Sequence, residues 1–208
     1  MLFKAKALRI VKTLLTKGPL TQRQLATASK SSLGYANDVV QVLRKKLLTP
    51  SGRGIKITDP RRLFLTMAAE SSMTERLYKS YEISGKRGDI ELGIAQQFSR
   101  LDYALTLLSA LPNYANLAQG AQISFYVNEA QFKQAEKALK KLGAQESKLG
   151  NVHVFAAHEG ILYDRKKFGS VYCVSLQQLL IDLYSYPPLL YVGQELLLAK
   201  EKQVNGNA

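Results

Sequence analysis

Residues 19–58 read PLTQRQLATASKSSLGYANDVVQVLRKKLLTPSGRGIKIT, and this stretch decides the fold that the sequence predicts. Thr21 and Gln24 have the spacing of a capping box, which predicts that a short helix begins at Gln22. A polar turn then leads into a second helix, and a glycine-containing turn between two short segments predicts a β-hairpin. This order of helix, turn, helix and hairpin is that of a winged helix-turn-helix, which places one helix in the major groove of DNA.

The second helix of this stretch has an apolar face and a polar face, and either Ser31 or Ser32 can cap its first turn. The apolar residues that recur at helical spacing and are expected to be buried are Leu33, Ala36, Val40, Leu43 and Leu47. The opposite face carries hydrogen-bonding and cationic side chains, as a recognition helix does. The residues expected to contact DNA are Thr21, Gln22, Ser31, Ser32, Tyr35, Asn37, Asp38, Gln41, Arg44, Lys45, Arg53 and Lys56.

The positive charge of the chain is concentrated around this stretch. Residues 1–66 contain fourteen lysines and arginines and two acids, a net charge of +12. Residues 67–208 contain fifteen lysines and arginines and fourteen acids, a net charge of +1. A basic surface confined to one part of a protein is typical of a nucleic-acid partner. The charge therefore favours DNA binding over a use of the same fold as a protein-interaction module or a scaffold.

The remaining sequence predicts an α+β protein with two domains. A winged helix-turn-helix with a connector helix is expected at residues 1–75, and a mixed α/β regulatory or antitoxin-like domain at 76–208. In the second domain, strands are expected at 123–128, with Ile123, Phe125 and Val127 on the one buried face, and at 152–157. Helical patterns are expected at 90–99, at 104–116 and at 129–142, where Phe132, Ala135, Leu139 and Leu142 form the apolar stripe. We expect a cytoplasmic protein, because no apolar run is long enough to span a membrane and the first residues lack the pattern of a signal peptide. A single cysteine, Cys173, fits a reducing compartment.

The sequence offers little catalytic chemistry. His153 and His158 are expected on opposite faces of a strand, without the cluster of ligands that a metal site needs. A Gly-Ser pair at 169–170 followed by Asp182 faintly resembles the nucleotidyltransferase pattern, but Tyr184 stands where a second carboxylate is required. We expect no catalytic residue, no metal and no cofactor, and a structural hydrogen bond or salt bridge for Asp182.

Several short motifs give the chain a resemblance to a known family. They are Tyr-Ala-Leu-Thr at 103–106, Ser-Ala-Leu at 109–111, Val-Ser-x-x-Gln-Leu-x-x-Asp-Leu at 174–183 and Tyr-Pro at 186–187. Together with the predicted winged helix, they resemble the AbiEi-type abortive-infection regulators, which are antitoxins of type IV toxin–antitoxin systems. The resemblance implies binding to inverted repeats in the protein's own promoter. It also implies opposition, direct or indirect, to a nucleotidyltransferase toxin.

Two other classes of function compete with a DNA-binding regulator. The same basic surface suits an RNA-binding or architectural protein, although no RNP-type aromatic strand is present. An enzyme with a winged-helix appendage is the third alternative. The sequence is compatible with either a monomer or a homodimer.

Overall fold

The computed structural model describes residues 4–44, 47–51, 54–70 and 72–205 of the chain. Helices and strands are mixed along the chain, and the protein belongs to the α+β class. The first elements occur in the order that the sequence predicts. They are α1 (Ala5–Lys17), α2 (Gln22–Ala28), α3 (Leu33–Arg44), β1 (Leu48–Ser51), β2 (Gly54–Ile57) and α4 (Pro60–Glu70).

The hairpin of β1 and β2 is anchored to the linker between α1 and α2. Leu20 in this linker pairs with Ile55, with one backbone N–H···O contact in each direction, at 3.2 and 2.8 Å. Gly54 allows this approach, because a Cβ atom at that position would lie 2.4 Å from the carbonyl carbon of Leu20. Its φ of +134° is also a conformation that residues with side chains rarely adopt. The turn end of β2 is therefore fixed beside the start of α2.

The rest of the chain forms one mixed sheet with helices around it. Its elements are β3 (Leu77–Glu82), α5 (Arg87–Gln97), β4 (Tyr103–Leu105), α6 (Leu107–Ala110), β5 (Ile123–Asn128), α7 (Phe132–Lys141), β6 (Gln145–Glu146), β7 (Val152–Ala157), α8 (Glu159–Leu162), β8 (Lys166–Phe168), β9 (Val171–Cys173), α9 (Leu176–Tyr184) and α10 (Leu190–Asn205). The seven strands are ordered β6-β3-β7-β5-β4-β9-β8. The β5–β7 and β4–β9 pairs are parallel, and the other pairs are antiparallel.

Three details of the predicted pattern are wrong. The helical pattern expected at 104–116 begins instead with β4, which pairs with β5 and β9 in the middle of the sheet. We expected β5 to be buried on one face only, but both Ser124 and Tyr126 are buried because this central strand is covered on both faces. In α3, Leu33 is 52% exposed and Val39 is buried in its place, since the contact of α3 with the core begins only at Ala36.

The buried residues of the N-terminal helices and of the sheet form one continuous hydrophobic cluster. In this cluster α4 packs on α9, and the rings of Phe64 and Tyr184 lie 5.4 Å apart. In the described part of the chain, every helix is too short or too polar to cross a bilayer.

A buried ammonium group joins α1 to the sheet. Lys12 is fully buried, and its Nζ donates to the carbonyl oxygens of Gly160, Ile161 and Tyr163 at 2.9–3.2 Å. The carboxylate of Asp164 lies 2.8 Å from the same atom. Burial lowers the pKa of Lys12, and the neighbouring carboxylate opposes that shift. The Lys12 ammonium thus donates to carbonyls near the end of α8, where a helix leaves its last carbonyls without a backbone donor of its own.

We expect Lys12→Met to lower the free energy of unfolding by about 3–5 kcal/mol, because it leaves a carboxylate and three buried carbonyls without their cation. Chemical denaturation followed by circular dichroism measures this loss. Lys17→Met is the matched control, since Lys17 lies exposed on the same helix, and it should change stability by less than about 0.5 kcal/mol. Similar losses in the two variants would show that the buried contacts of Lys12 are not what stabilises the fold.

Candidate nucleic-acid interface

The side chains that begin α2 and α3 act as helix caps. Thr21 Oγ1 accepts a hydrogen bond from the Gln24 amide at 3.3 Å, and Gln24 Oε1 accepts from the Thr21 amide at 2.9 Å, so the capping box is confirmed. Ser32 caps α3 by accepting from the Tyr35 amide at 3.3 Å. Ser31 shares a hydrogen bond with a neighbouring buried serine hydroxyl at 2.7 Å. Both helices therefore have starts fixed by short local contacts.

Three amide side chains on α2 and α3 form a connected chain. Gln22 Nε2 donates to Asn37 Oδ1 at 2.9 Å across the two helices. Gln41 Nε2, one turn further along α3, reaches the same oxygen at 3.5 Å. The Asn37 oxygen is thus shared between two donors within the protein, whereas Gln41 is exposed. This arrangement makes Asn37 the residue that organises the group and Gln41 the member that reaches furthest into solvent.

The outward face of α3 is centred on three residues at helical spacing. Gly34, Asp38 and Gln41 are all exposed and lie at i, i+4 and i+7 on one face. Arg44 follows on the same side of the helix and is also exposed. A Cβ atom added to Gly34 would meet no protein atom within 4 Å, so packing within the protein does not require glycine there. Gly34 was missed in the sequence, where it looked like an ordinary helical residue.

A basic cleft of about 440 Å³ lies beside the start of α3, between the turn that precedes it and the start of α1. Lys4 and Lys6 of the N-terminal segment share this cleft with Lys30 and with the expected contacts Ser31, Ser32 and Tyr35. Glu159 is the acidic residue that lines the cleft. From the sequence, the basic face of the first helix could be either a solvated surface or a second phosphate contact, with the solvated surface favoured. Only the folded chain brings its lysines to α3, so residue spacing could not reveal them.

Three expected contacts remain, namely Lys45, Arg53 and Lys56. Lys56 is exposed on β2. Lys45 and Arg53 fall outside the described residues.

The network around Asp182 is buried and structural, as expected for that residue. Asp182 Oδ2 accepts from the Thr106 hydroxyl at 2.6 Å, and Oδ1 accepts from Tyr126 at 2.8 Å and from Gln178 at 2.9 Å. The guanidinium of Arg76 lies 3.3 Å from Oδ1. Burial raises the pKa of Tyr126 well above its usual value. Because Asp182 is fully buried among these partners, the group joins elements of the fold and offers no open face to a substrate.

The other candidate reactive groups are also occupied or buried. Burial raises the pKa of the Cys173 thiol to about 12, which keeps it protonated at neutral pH. His158 caps α8 by accepting from the Gly160 amide at 3.1 Å. Within the described ranges, no group of three or more His, Cys, Asp and Glu side chains is placed to hold a metal ion.

A Gly-Lys-Arg-Gly sequence at 85–88 has the G-x-x-G spacing of a loop that clamps RNA backbones, and the sequence reasoning overlooked it. The structure turns Arg87 inward. Its Nε lies 2.9 Å from Glu91 Oε1, and its Nη atoms donate to the carbonyls of Gly120 and Leu108. This arginine is therefore engaged within the protein.

Comparison with known proteins gave no match to a family model, a curated protein or a solved structure.

Proposed function

We propose that this protein is a sequence-specific double-stranded DNA-binding transcriptional regulator whose N-terminal part is a winged helix-turn-helix. The observation that carries the proposal is the amide chain of Gln22, Asn37 and Gln41 on the outward side of α2 and α3. Amide side chains pair with adenine through two hydrogen bonds in the major groove. The order of α1, α2, α3 and hairpin, with Leu20 paired to Ile55, supports a winged helix with α3 as its recognition helix.

The cations around this group supply the affinity in the proposal. Lys4, Lys6 and Lys30 line the cleft at the start of α3, while Arg44 lies further along the helix and Lys56 on the hairpin. Charges at such positions meet phosphates on either side of a groove and contribute binding that does not depend on sequence.

Two features favour duplex DNA over RNA as the partner. In this proposal the base-reading amide is that of Gln41 on α3, and the deep, narrow major groove of A-form RNA does not admit side chains from a helix. The G-x-x-G segment also has its arginine bound within the protein. In this proposal the protein acts in the cytoplasm as a monomer or homodimer, and a homodimer suits an inverted-repeat operator.

The antitoxin role is a narrower form of the same proposal, and its support is the resemblance to AbiEi-type regulators. Thr106 and Asp182, from two of the motifs that carry this resemblance, share a 2.6 Å hydrogen bond in the core. These two motif residues therefore act together in the core of this protein, and the antitoxin role itself requires a toxin to oppose. If a nucleotidyltransferase toxin is encoded beside this gene, co-expression of this chain should restore growth of cells that produce the toxin. Continued growth arrest would contradict the antitoxin role, and the proposal of a transcriptional regulator would still stand.

We expect Gln41→Ala to lower the preference for an operator over random duplex by about 5- to 150-fold, the equivalent of about 1–3 kcal/mol for one lost bidentate contact. Affinity for random duplex should stay nearly constant, because the substitution removes no charge. The operator is first selected from a random DNA library with the unaltered protein. Each variant is then titrated against operator, random duplex and RNA of the same length at one salt concentration.

Two further variants serve as controls in this titration. Arg44→Ala should weaken both duplexes and reduce the salt slope by about one unit, since it removes one phosphate contact. Gln96→Ala makes the same truncation at an exposed position of α5, outside the basic segment, and should leave every affinity unchanged. An operator preference that survives both Gln41→Ala and Asn37→Ala would remove the sequence-reading role from α3. Tighter binding to RNA than to any duplex would favour the RNA-binding alternative.

We expect Gly34→Ala to stabilise the fold and to weaken operator binding. Alanine is favoured over glycine in a helix by about 0.5–1 kcal/mol, and no protein atom obstructs the new methyl group. In the complex, the methyl group would stand between α3 and the groove. Thermal unfolding and operator titration measure the two effects.

Gly88→Ala is the matched control for this prediction. Gly88 is likewise the second residue of its helix, and a Cβ atom there would also meet no protein atom within 4 Å. It should gain similar stability without any loss of DNA affinity. If Gly34→Ala and Gly88→Ala bind the operator equally well, the first turn of α3 does not approach DNA closely.

A further inference from the structure

A cavity of about 420 Å³ lies in the second part of the chain, away from the basic surface. Its walls come from the start of α6, the segment before β5, the strands β5 and β7, and the turn after α9. Much of the lining is apolar, and it includes Leu107, Leu108, Phe155, Pro188 and Leu189. Small-molecule sites in proteins are typically cavities of about 300–1,000 Å³ with mostly apolar walls and a few polar groups.

The polar group that gives this cavity a chemical preference is His153. Its Nε2 lies 3.1 Å from the carbonyl oxygen of Gly150, and a carbonyl can only accept, so Nε2 carries the hydrogen. In a neutral imidazole the other nitrogen, Nδ1, is then an acceptor. Burial lowers the pKa of His153, which keeps the ring neutral at neutral pH. A molecule that complements this ring has to donate a hydrogen bond.

Two features besides apolar packing shape the walls of the cavity. Leu107 adopts a φ of +49°, a left-handed conformation that is rare for a residue with a side chain and that often accompanies a functional site. Arg87 donates to the carbonyls of two wall residues, Leu108 and Gly120. Its carboxylate partner is Glu91, at 2.9 Å. The space is therefore formed before any ligand arrives.

We propose that this cavity binds a small, largely apolar molecule, such as an aromatic heterocycle, that donates one hydrogen bond to His153. The site also has a route to the rest of the fold. The wall residues Tyr186, Pro188 and Leu189 follow Ser185, whose carbonyl accepts from the Met73 amide at 3.1 Å just after α4. A molecule in the cavity would contact the turn after α9, and the start of that turn is hydrogen-bonded to the segment that follows α4. The proposal does not depend on DNA binding.

Indole and N-methylindole are the probes for the test, because they differ in the single N–H donor. The chain contains no tryptophan, so indole emission excited at wavelengths that tyrosine does not absorb can be read without a tryptophan background. With the full-length protein and no DNA, indole emission should shift to the blue and saturate. Indole should bind about two- to tenfold more tightly than N-methylindole, the range for one hydrogen bond.

Substitutions connect the binding to this cavity. His153→Phe should remove the preference for indole over N-methylindole. Ala121 lines the cavity and is exposed, so Ala121→Phe places a ring at the cavity mouth and should abolish binding of both probes. Ala130→Phe, the same change at an exposed alanine outside the cavity, should leave binding intact, and circular dichroism verifies that each variant is folded. Absence of indole binding to the unaltered protein, equal affinities for the two probes, or binding that persists in Ala121→Phe would each overturn the proposal. None of these results bears on DNA affinity.

Discussion

The contact between the Lys12 ammonium and the end of α8 is the constraint on which the arrangement of the chain depends. A buried cation is costly unless its hydrogen bonds and its charge are both matched. Here three carbonyls and Asp164 provide that match, and they lie about 150 residues away along the chain. Gly160 permits the same approach, because a Cβ atom there would lie 2.5 Å from the carbonyl oxygen of Ala5. The first helix is therefore held by charge, hydrogen bonds and close backbone contact at once.

Local features of the fold could be predicted from the sequence because their causes are local. The capping box of Thr21 and Gln24 needs only residues three apart, and the hairpin needs only its turn. The amphipathic pattern of α7 likewise placed Ala135 and Leu139 on its buried face, as the structure has them. Where the sequence reasoning failed, the cause lay elsewhere in the chain. Ala104 and Leu105 belong to a helical pattern in the sequence but lie in a strand, because β5 and β9 flank them.

The candidate interface was only partly predictable for the same reason. Spacing along one helix identified Asn37 and Gln41 as outward-facing residues. The hydrogen bond from Gln22 to Asn37 joins residues fifteen apart on two helices, so it depends on how those helices pack. Lys4 and Lys6 lie further still from α3 in the sequence. Spacing also placed Leu33 on the buried face. The helical period of apolar residues includes the first turn of α3, but Leu33 in that turn is exposed.

The pairing of Leu20 with Ile55 holds the hairpin near its turn, because Gly54 is the first residue of β2 and pairs with Ser51, the last residue of β1. Since Gly54 and Ile55 carry that contact, residues added or removed in the turn between β1 and β2 would leave the contact in place. Loop tips tolerate such changes in length at little cost in stability. In evolutionary terms, the turn between β1 and β2 can become longer or shorter while α2 and α3 keep their geometry. Variation in length among relatives should therefore concentrate in the turn between Ser51 and Gly54, with Leu20 and Gly54 themselves kept.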